Sequence, residues 1–246
     1  MLIYILYKYM LTLVTGANSG IYFKYLKQVL NNTIQVSNSK NVEIRIIVYN
    51  LGMNESEIKE IKLFQYVTLE NFDFNKYPEH VSLEKYYGHN CSYAWKPIII
   101  YDVCEKYGGL VHWLDTRNLY SNFNNLIEIL ETEYIYTPIS SGTMDRWTHP
   151  TCLKYMDGDR FKNYSPRNAA IIGINYNIDW VRKLIKEWRD LALIKECICP
   201  DGSDRSNHRQ DQAVLTILFY KYQDIHKFKD IRHYIDLSIH NRLFYK

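Results

Sequence analysis

Leu110-Val111-His112-Trp113-Leu114-Asp115-Thr116 is an apolar run that stops abruptly at an acid followed by a small polar residue. A continuous run of this kind reads as a strand buried on both faces, the pattern of a parallel sheet. Its end places one carboxylate, Asp115, at the edge where open α/β sheets bind ligands. A carboxylate there can hold a divalent cation, and the cation can hold a diphosphate. Just upstream, Tyr93-Ala94-Trp95-Lys96-Pro97 leads into a helix, Ile98 to Tyr107, closed by Gly108-Gly109. Proline suits a first helical turn, so Lys96 is expected at a positive helix end, where a phosphate or sugar carboxylate could be held.

Outward from this point the chain alternates strand and helix. Leu11 to Thr15 is β-like, Gly16 to Gly20 is a turn, and Ile21 to Leu30 has helical periodicity. Val42 to Tyr49 reads as a second strand, Glu55 to Leu63 as a short polar helix, and Tyr66 to Phe74 as a third strand. This β-α-β-α-β order predicts a mostly parallel sheet covered by helices. Beyond Asp115, helices are expected over Asn122 to Glu131, Thr151 to Tyr155, Trp180 to Leu193 and Asp211 to Tyr222, with a strand over Ala169 to Ile174. Trp180, Leu184, Trp188 and Leu191 are expected on one apolar helix face. Ile135 to Trp147 and Glu196 to Asn207 read as loops, and the tail from Lys227 to Lys246 as irregular and basic.

The chain has 246 residues, a length for one large domain, and 47% hydrophobic and 23% charged residues are ordinary for a globular protein. A net charge of +3, with basic and acidic residues interleaved, gives no case for nucleic acid as a partner. The 23 Tyr accompany abundant Ile, Asn and Lys, which reads mainly as coding bias. Five Cys (Cys91, Cys104, Cys152, Cys197, Cys199) form no metal-ligand spacing and are expected to be reduced. Met1 to Val14 is apolar but contains Lys8 and has roughly half the length of a bilayer span. It has no basic leader and no cleavage site, so the expectation is a chain without signal peptide or membrane span, in a cytoplasmic or viral-factory setting. Sequons at Asn31, Asn54, Asn90 and Asn163 match what chance gives an Asn-rich chain.

The blocks around Trp95-Lys96-Pro97 and Asp115, then Asn168-Ala169-Ala170-Ile171-Ile172-Gly173 and His208-Arg209-Gln210-Asp211-Gln212, resemble, in this order, nucleotide-sugar glycosyltransferases of the GT-A fold. The resemblance implies a single GT-A-like domain over residues 1–246, with a nucleotide-binding part at about 9–118 and an acceptor- and sugar-binding part at about 119–246. The strand ending in Asp115 looks like the family's DxD strand, and Asp211-Gln212 looks like the DQ element of its retaining branches. On that likeness Asp211 and Gln212 would be catalytic. Thr15, Gly16, Ala17, Tyr49, Trp95, Lys96, Asp115, Thr116, Arg117, Asn168 and His149 would meet a UDP- or GDP-sugar. The acceptor would be a hydroxyl of a glycan or protein. Mn²⁺ or Mg²⁺ would sit on Asp115, completed by His240. The second acid of the DxD pattern falls on Arg117, which leaves the metal in question and makes a positive clamp of Lys96 and Arg117 the other route to neutralising the diphosphate.

Two other readings remain open. Missing the second acid, the chain could be a degenerate module that binds nucleotide or glycan without turnover. Thr15-Gly16-Ala17-Asn18-Ser19-Gly20-Ile21 also nearly reproduces the Gly-rich turn of NAD(P)-dependent short-chain dehydrogenases, but Tyr22 stands where the last glycine admits the pyrophosphate. Tyr4 and Lys8 have the Tyr-x-x-x-Lys spacing those enzymes need, but they precede the cofactor strand.

Overall fold

The computed structural model describes residues 10–82 and 93–238. The first half runs β1 (Leu11–Ala17), α1 (Ile21–Lys40), β2 (Ile44–Asn50), α2 (Glu55–Ile61), β3 (Val67–Asn71), α3 (Trp95–Tyr107), β4 (Leu110–Leu114), β5 (Leu119–Tyr120) and α4 (Asn124–Thr132). The second half runs β6 (Ile135–Tyr136), α5 (Met144–Trp147), α6 (Pro150–Tyr155), β7 (Ile171–Asn175), α7 (Asp179–Ala192), α8 (Lys195–Ile198), α9 (Gln210–His226) and β8 (Leu237–Ser238).

Six strands form one sheet in the order β3-β2-β1-β4-β7-β6, and β5 pairs with β8 separately. β3, β2, β1 and β4 run parallel, and β7 is antiparallel to both β4 and β6. The sheet is mostly parallel and flanked by helices, as the βαβ pattern requires. β1 is followed by β2 on one side and, after two further crossovers through β3, by β4 on the other. The C-terminal ends of β1 and β4 therefore flank a switch point in strand order, where such sheets open a crevice.

All five residues of β4 are buried. Val111 and Trp113 join a core with α3, α7 and α9, whereas Leu110 and Leu114 face α1 and α4. α9 is buried all round from Ala213 to Tyr220 because it passes through that core. In α7 the buried stripe is Val181, Leu184, Ile185, Trp188 and Ala192, while Trp180 and Leu191 lie at its margins and pack only partly.

Several expected boundaries move. α1 continues ten residues past Leu30, through Asn-rich sequence of weak helix propensity. Tertiary bonds account for this: Asn32 Nδ2 donates to Tyr120 O (3.0 Å) and its Oδ1 accepts from Tyr120 N (2.7 Å). The stretch 135–147, expected as loop, contains β6 and α5, and α8 overlaps the start of the expected loop 196–207. These pieces are two to four residues long, too short to show a period. The tail, expected as irregular, supplies β8, which closes on β5. The four described cysteines, Cys104, Cys152, Cys197 and Cys199, are free thiols, and Cys91 lies outside the described residues. No described helix is long and apolar enough to cross a membrane.

Candidate active site

The C-terminal ends of β1 and β4 open on a cavity of about 640 Å³. Gly16, Ala17 and Asn18 line it from the β1 turn, and Asp115, Thr116, Arg117 and Asn118 from the turn after β4. Trp95 and Lys96 enter from α3, Asn168 and Ala170 from the approach to β7, and Arg205 and Arg209 from the loop before α9. A side pocket of about 150 Å³ shares Lys96, Asp115, Asn168, Arg205 and Arg209 and adds Asp211 and Gln212.

At the junction lies a three-member ion cluster. Lys96 Nζ is 3.3 Å from Asp115 Oδ1 and 3.0 Å from Asp211 Oδ2, and it donates to Ala169 O at 3.2 Å. Lys96 and Asp211 are 4% and 5% exposed, so both charges are held almost without water. Burial disfavours the Lys96 ammonium, yet the neighbouring Asp115 and Asp211 carboxylates hold its pKa above the ordinary lysine value. Burial pushes the Asp211 carboxyl up to about 6, with Lys96 pulling the other way. Asp115 keeps a partly exposed carboxylate whose Oδ1 also accepts the Trp113 indole N–H at 2.7 Å. Trp188 Nε1 donates to Asp211 O (3.1 Å), which ties the start of α9 to α7. Two non-glycine residues in left-handed conformation stand beside the cluster, Gln210 (φ 39°) before Asp211 and Tyr93 (φ 55°) before the start of α3. Such backbone strain concentrates at functional sites.

The structure thus brings together Gly16, Ala17, Trp95, Lys96, Asp115, Thr116, Arg117, Asn168, Asp211 and Gln212. Lys96 is not the free cation at a helix end that the sequence predicts, because it is buried between two acids. Asp211 is not the helix cap: Arg209 holds that position, and the Asp211 carboxylate turns to Lys96. Asn168 accepts from Ala170 N (3.0 Å) and donates to the Tyr234 hydroxyl (3.0 Å). Trp95 Nε1 is buried with no acceptor among the described residues.

Three expected donor-side residues do not line the cavity. Thr15 is buried and donates its hydroxyl to Leu114 O at 2.7 Å, stapling β1 to β4. Tyr49 packs against the core beneath α3, where burial and then Asp102 raise its pKa to about 12. His149 caps α6 through Thr151 N (3.3 Å), and its own N–H donates to buried His208 Nδ1 (3.1 Å). His240, Tyr4 and Lys8 lie outside the described residues. Sequence alone assigns no role to Arg205 or Arg209. The available signal was two arginines four residues apart in a polar loop just ahead of Asp211.

The divalent cation implied by the resemblance fits the described residues poorly. Among them, no three His, Cys, Asp or Glu side chains converge. Asp115 already accepts from an indole and is ion-paired with Lys96, Asp211 is paired with the same lysine, and Arg117 supplies a cation where the second acid would stand.

A family profile described as "Protein of unknown function (DUF1647)" matches residues 12–101. No curated protein matches the chain. Among solved structures, the chain is similar to the apo WbbM bifunctional glycosyltransferase, with TM-score 0.57 and 16% identity over 88% of this chain. It spans only 38% of that protein. It is also similar to the galactosyltransferase LgtC in complex with donor and acceptor sugar analogs, with TM-score 0.54 and 16% identity, covering 94% of this chain and 87% of that one. For mouse xyloside xylosyltransferase 1 in its apo form the TM-score is 0.51 and the identity 12%, covering 95% and 98% of the two chains. At these identities the likeness establishes the fold: a single-domain, GT-A-like glycosyltransferase fold built on a mostly parallel sheet.

Proposed function

We propose that the chain is a glycosyltransferase that moves a sugar from a UDP- or GDP-sugar to a hydroxyl of a glycan or protein. The observation that carries this reading is the convergence of Asp115, Lys96 and Asp211 from three separate elements where a cavity of nucleotide-sugar size meets its side pocket. The galactosyltransferase of similar fold holds donor and acceptor sugar analogs, and the same crevice would serve here. Residues of about 9–118 would contact the nucleotide, and residues of about 119–246 the sugar and acceptor. Tyr22 and Tyr93, with Trp95, offer ring faces and one unused indole donor at the cavity wall.

In this reading the departing diphosphate is stabilised by positive charge fixed in place before reaction. Asp211, ionised above about pH 6, faces the sugar as base or as stabiliser of a cationic transition state, with Gln212 beside it. The Asp211-Gln212 pair favours retention of anomeric configuration. A binding module without turnover is the rival reading, favoured by Arg117 in the position of the second acid.

The test is release of nucleoside diphosphate from a panel of UDP- and GDP-sugars with a mixture of glycan acceptors. Turnover by the native chain, cut at least 100-fold in Asp211→Asn while nucleotide still binds, is the expected outcome. Proton spectra of the product report its anomeric configuration. Nucleotide binding without turnover would select the binding module, and no nucleotide binding would remove both readings.

A further inference from the structure

We propose that Arg117, Arg205 and Arg209 bind the donor diphosphate directly and take the place of a divalent cation, so that the chain binds its nucleotide without metal. This rests on the nucleotide-sugar reading above.

The three arginines reach one cavity from two loops, Arg117 after β4 and Arg205 and Arg209 ahead of α9. The cavity and its side pocket are lined by four cationic side chains, these three and Lys96, against two carboxylates, Asp115 and Asp211. Lys96 is engaged with both carboxylates. Asp115 and Asp211 have no other described cation within ion-pair distance, and Arg117, Arg205 and Arg209 have no described carboxylate partner. The three guanidinium groups are thus the surplus positive charge of the cavity. A diphosphate is a complementary guest, because each planar guanidinium can grip phosphate oxygens in bidentate fashion.

Two of the three arginines are also held in place by ring contacts. Arg209 lies 4.0 Å over the Trp147 ring, and its backbone N–H donates to Trp147 O at 3.0 Å. Arg117 lies over the rings of Tyr22 (5.7 Å) and Tyr25 (5.2 Å). Burial, then the like charges of Arg205 and Arg146, lowers the pKa of Arg209 from the usual arginine value. Like charges gathered without counter-charge are relieved when an anion enters. The same charges oppose a dication at Asp115, whose Oδ1 already accepts from Trp113 and lies against Lys96.

The experiment is calorimetric binding of UDP and of GDP to the full chain, in EDTA and again with Mn²⁺. One nucleotide should bind in EDTA, and Mn²⁺ should change its Kd less than threefold. Arg117→Ala and Arg205→Ala/Arg209→Ala should each weaken binding about tenfold or more, with near-ultraviolet circular dichroism unchanged. Raised salt should weaken binding further. The control Arg182→Ala removes a guanidinium paired with Asp179 on exposed α7 surface and should leave the Kd unchanged. Binding that requires Mn²⁺, or that survives both arginine variants, overturns the arginine site while leaving the transferase reading intact. If neither nucleotide binds under either condition, the transferase reading fails and the site fails with it.

Discussion

Lys96 gains nothing from burial on its own account, since an ammonium removed from water loses several kcal/mol of solvation. Two carboxylates and a carbonyl repay that cost. Lys96→Met would leave Asp211 buried with no compensating charge, a change expected to cost about 3–5 kcal/mol. The share owed to Asp115 is smaller, because its partly exposed carboxylate is screened by water. The loss should depend on pH with a definite sign. The folded Asp211 carboxyl titrates near 6, above its unfolded value, so folding favours its protonated form. Ionisation through about pH 6 is then a cost that Lys96 normally offsets. Without Lys96 that carboxyl is pushed up further, so urea unfolding of the variant should show a larger loss at pH 8 than at pH 5, where Asp211 takes up a proton. An equal loss at both pH values would mean that the ion cluster is not what the substitution disturbs.

Within the sheet, Gly173 shows how closely one strand and one helix meet. A Cβ added there would lie 2.8 Å from Leu130 Cδ2 and 3.3 Å from Leu126 Cδ1, both on α4 and both buried. Overpacking in such a place costs about 1–3 kcal/mol. Gly173→Ala should therefore lower the Tm by several degrees in calorimetry while leaving nucleotide affinity unchanged; an unaltered Tm would show that α4 shifts freely. The long elements were legible because their signals are local. β4 was visible as an unbroken apolar run, and α7 as an amphipathic stripe. The second half of α1 was not, because side-chain bonds from Asn32 to the distant Tyr120 backbone hold it, and nothing in residues 31–40 announces them. β6 and β8, two residues each, exist only through their partners.

Across the molecule, the segment after α9 returns over the sheet edge and is fastened there by a buried arginine. Arg167 Nη2 donates to Asp230 Oδ1 (2.7 Å) and Thr137 O (2.7 Å), and its guanidinium lies 4.0 Å over the Phe219 ring. Asp236 accepts from Asn125 Nδ2 and Leu126 N further along the same segment. Asp230→Ala would leave the Arg167 charge buried without its acid, at a cost of about 3–5 kcal/mol. Residues 229–238 should then become the first site of limited proteolysis, ahead of global unfolding; protection equal to the native chain would place the fastening elsewhere. By itself the sequence determined the βαβ order, the carboxylate at the end of β4 and the acid at the head of α9, because periodicity and element ends are written in neighbouring residues. Only the tertiary structure decided that Lys96 sits between Asp115 and Asp211, that Thr15, Tyr49 and His149 turn away from the cavity, and that Arg205 and Arg209 join Arg117. Charged partners are chosen by proximity after folding and by the loss of water around them, and neither is encoded in the spacing of residues along the chain.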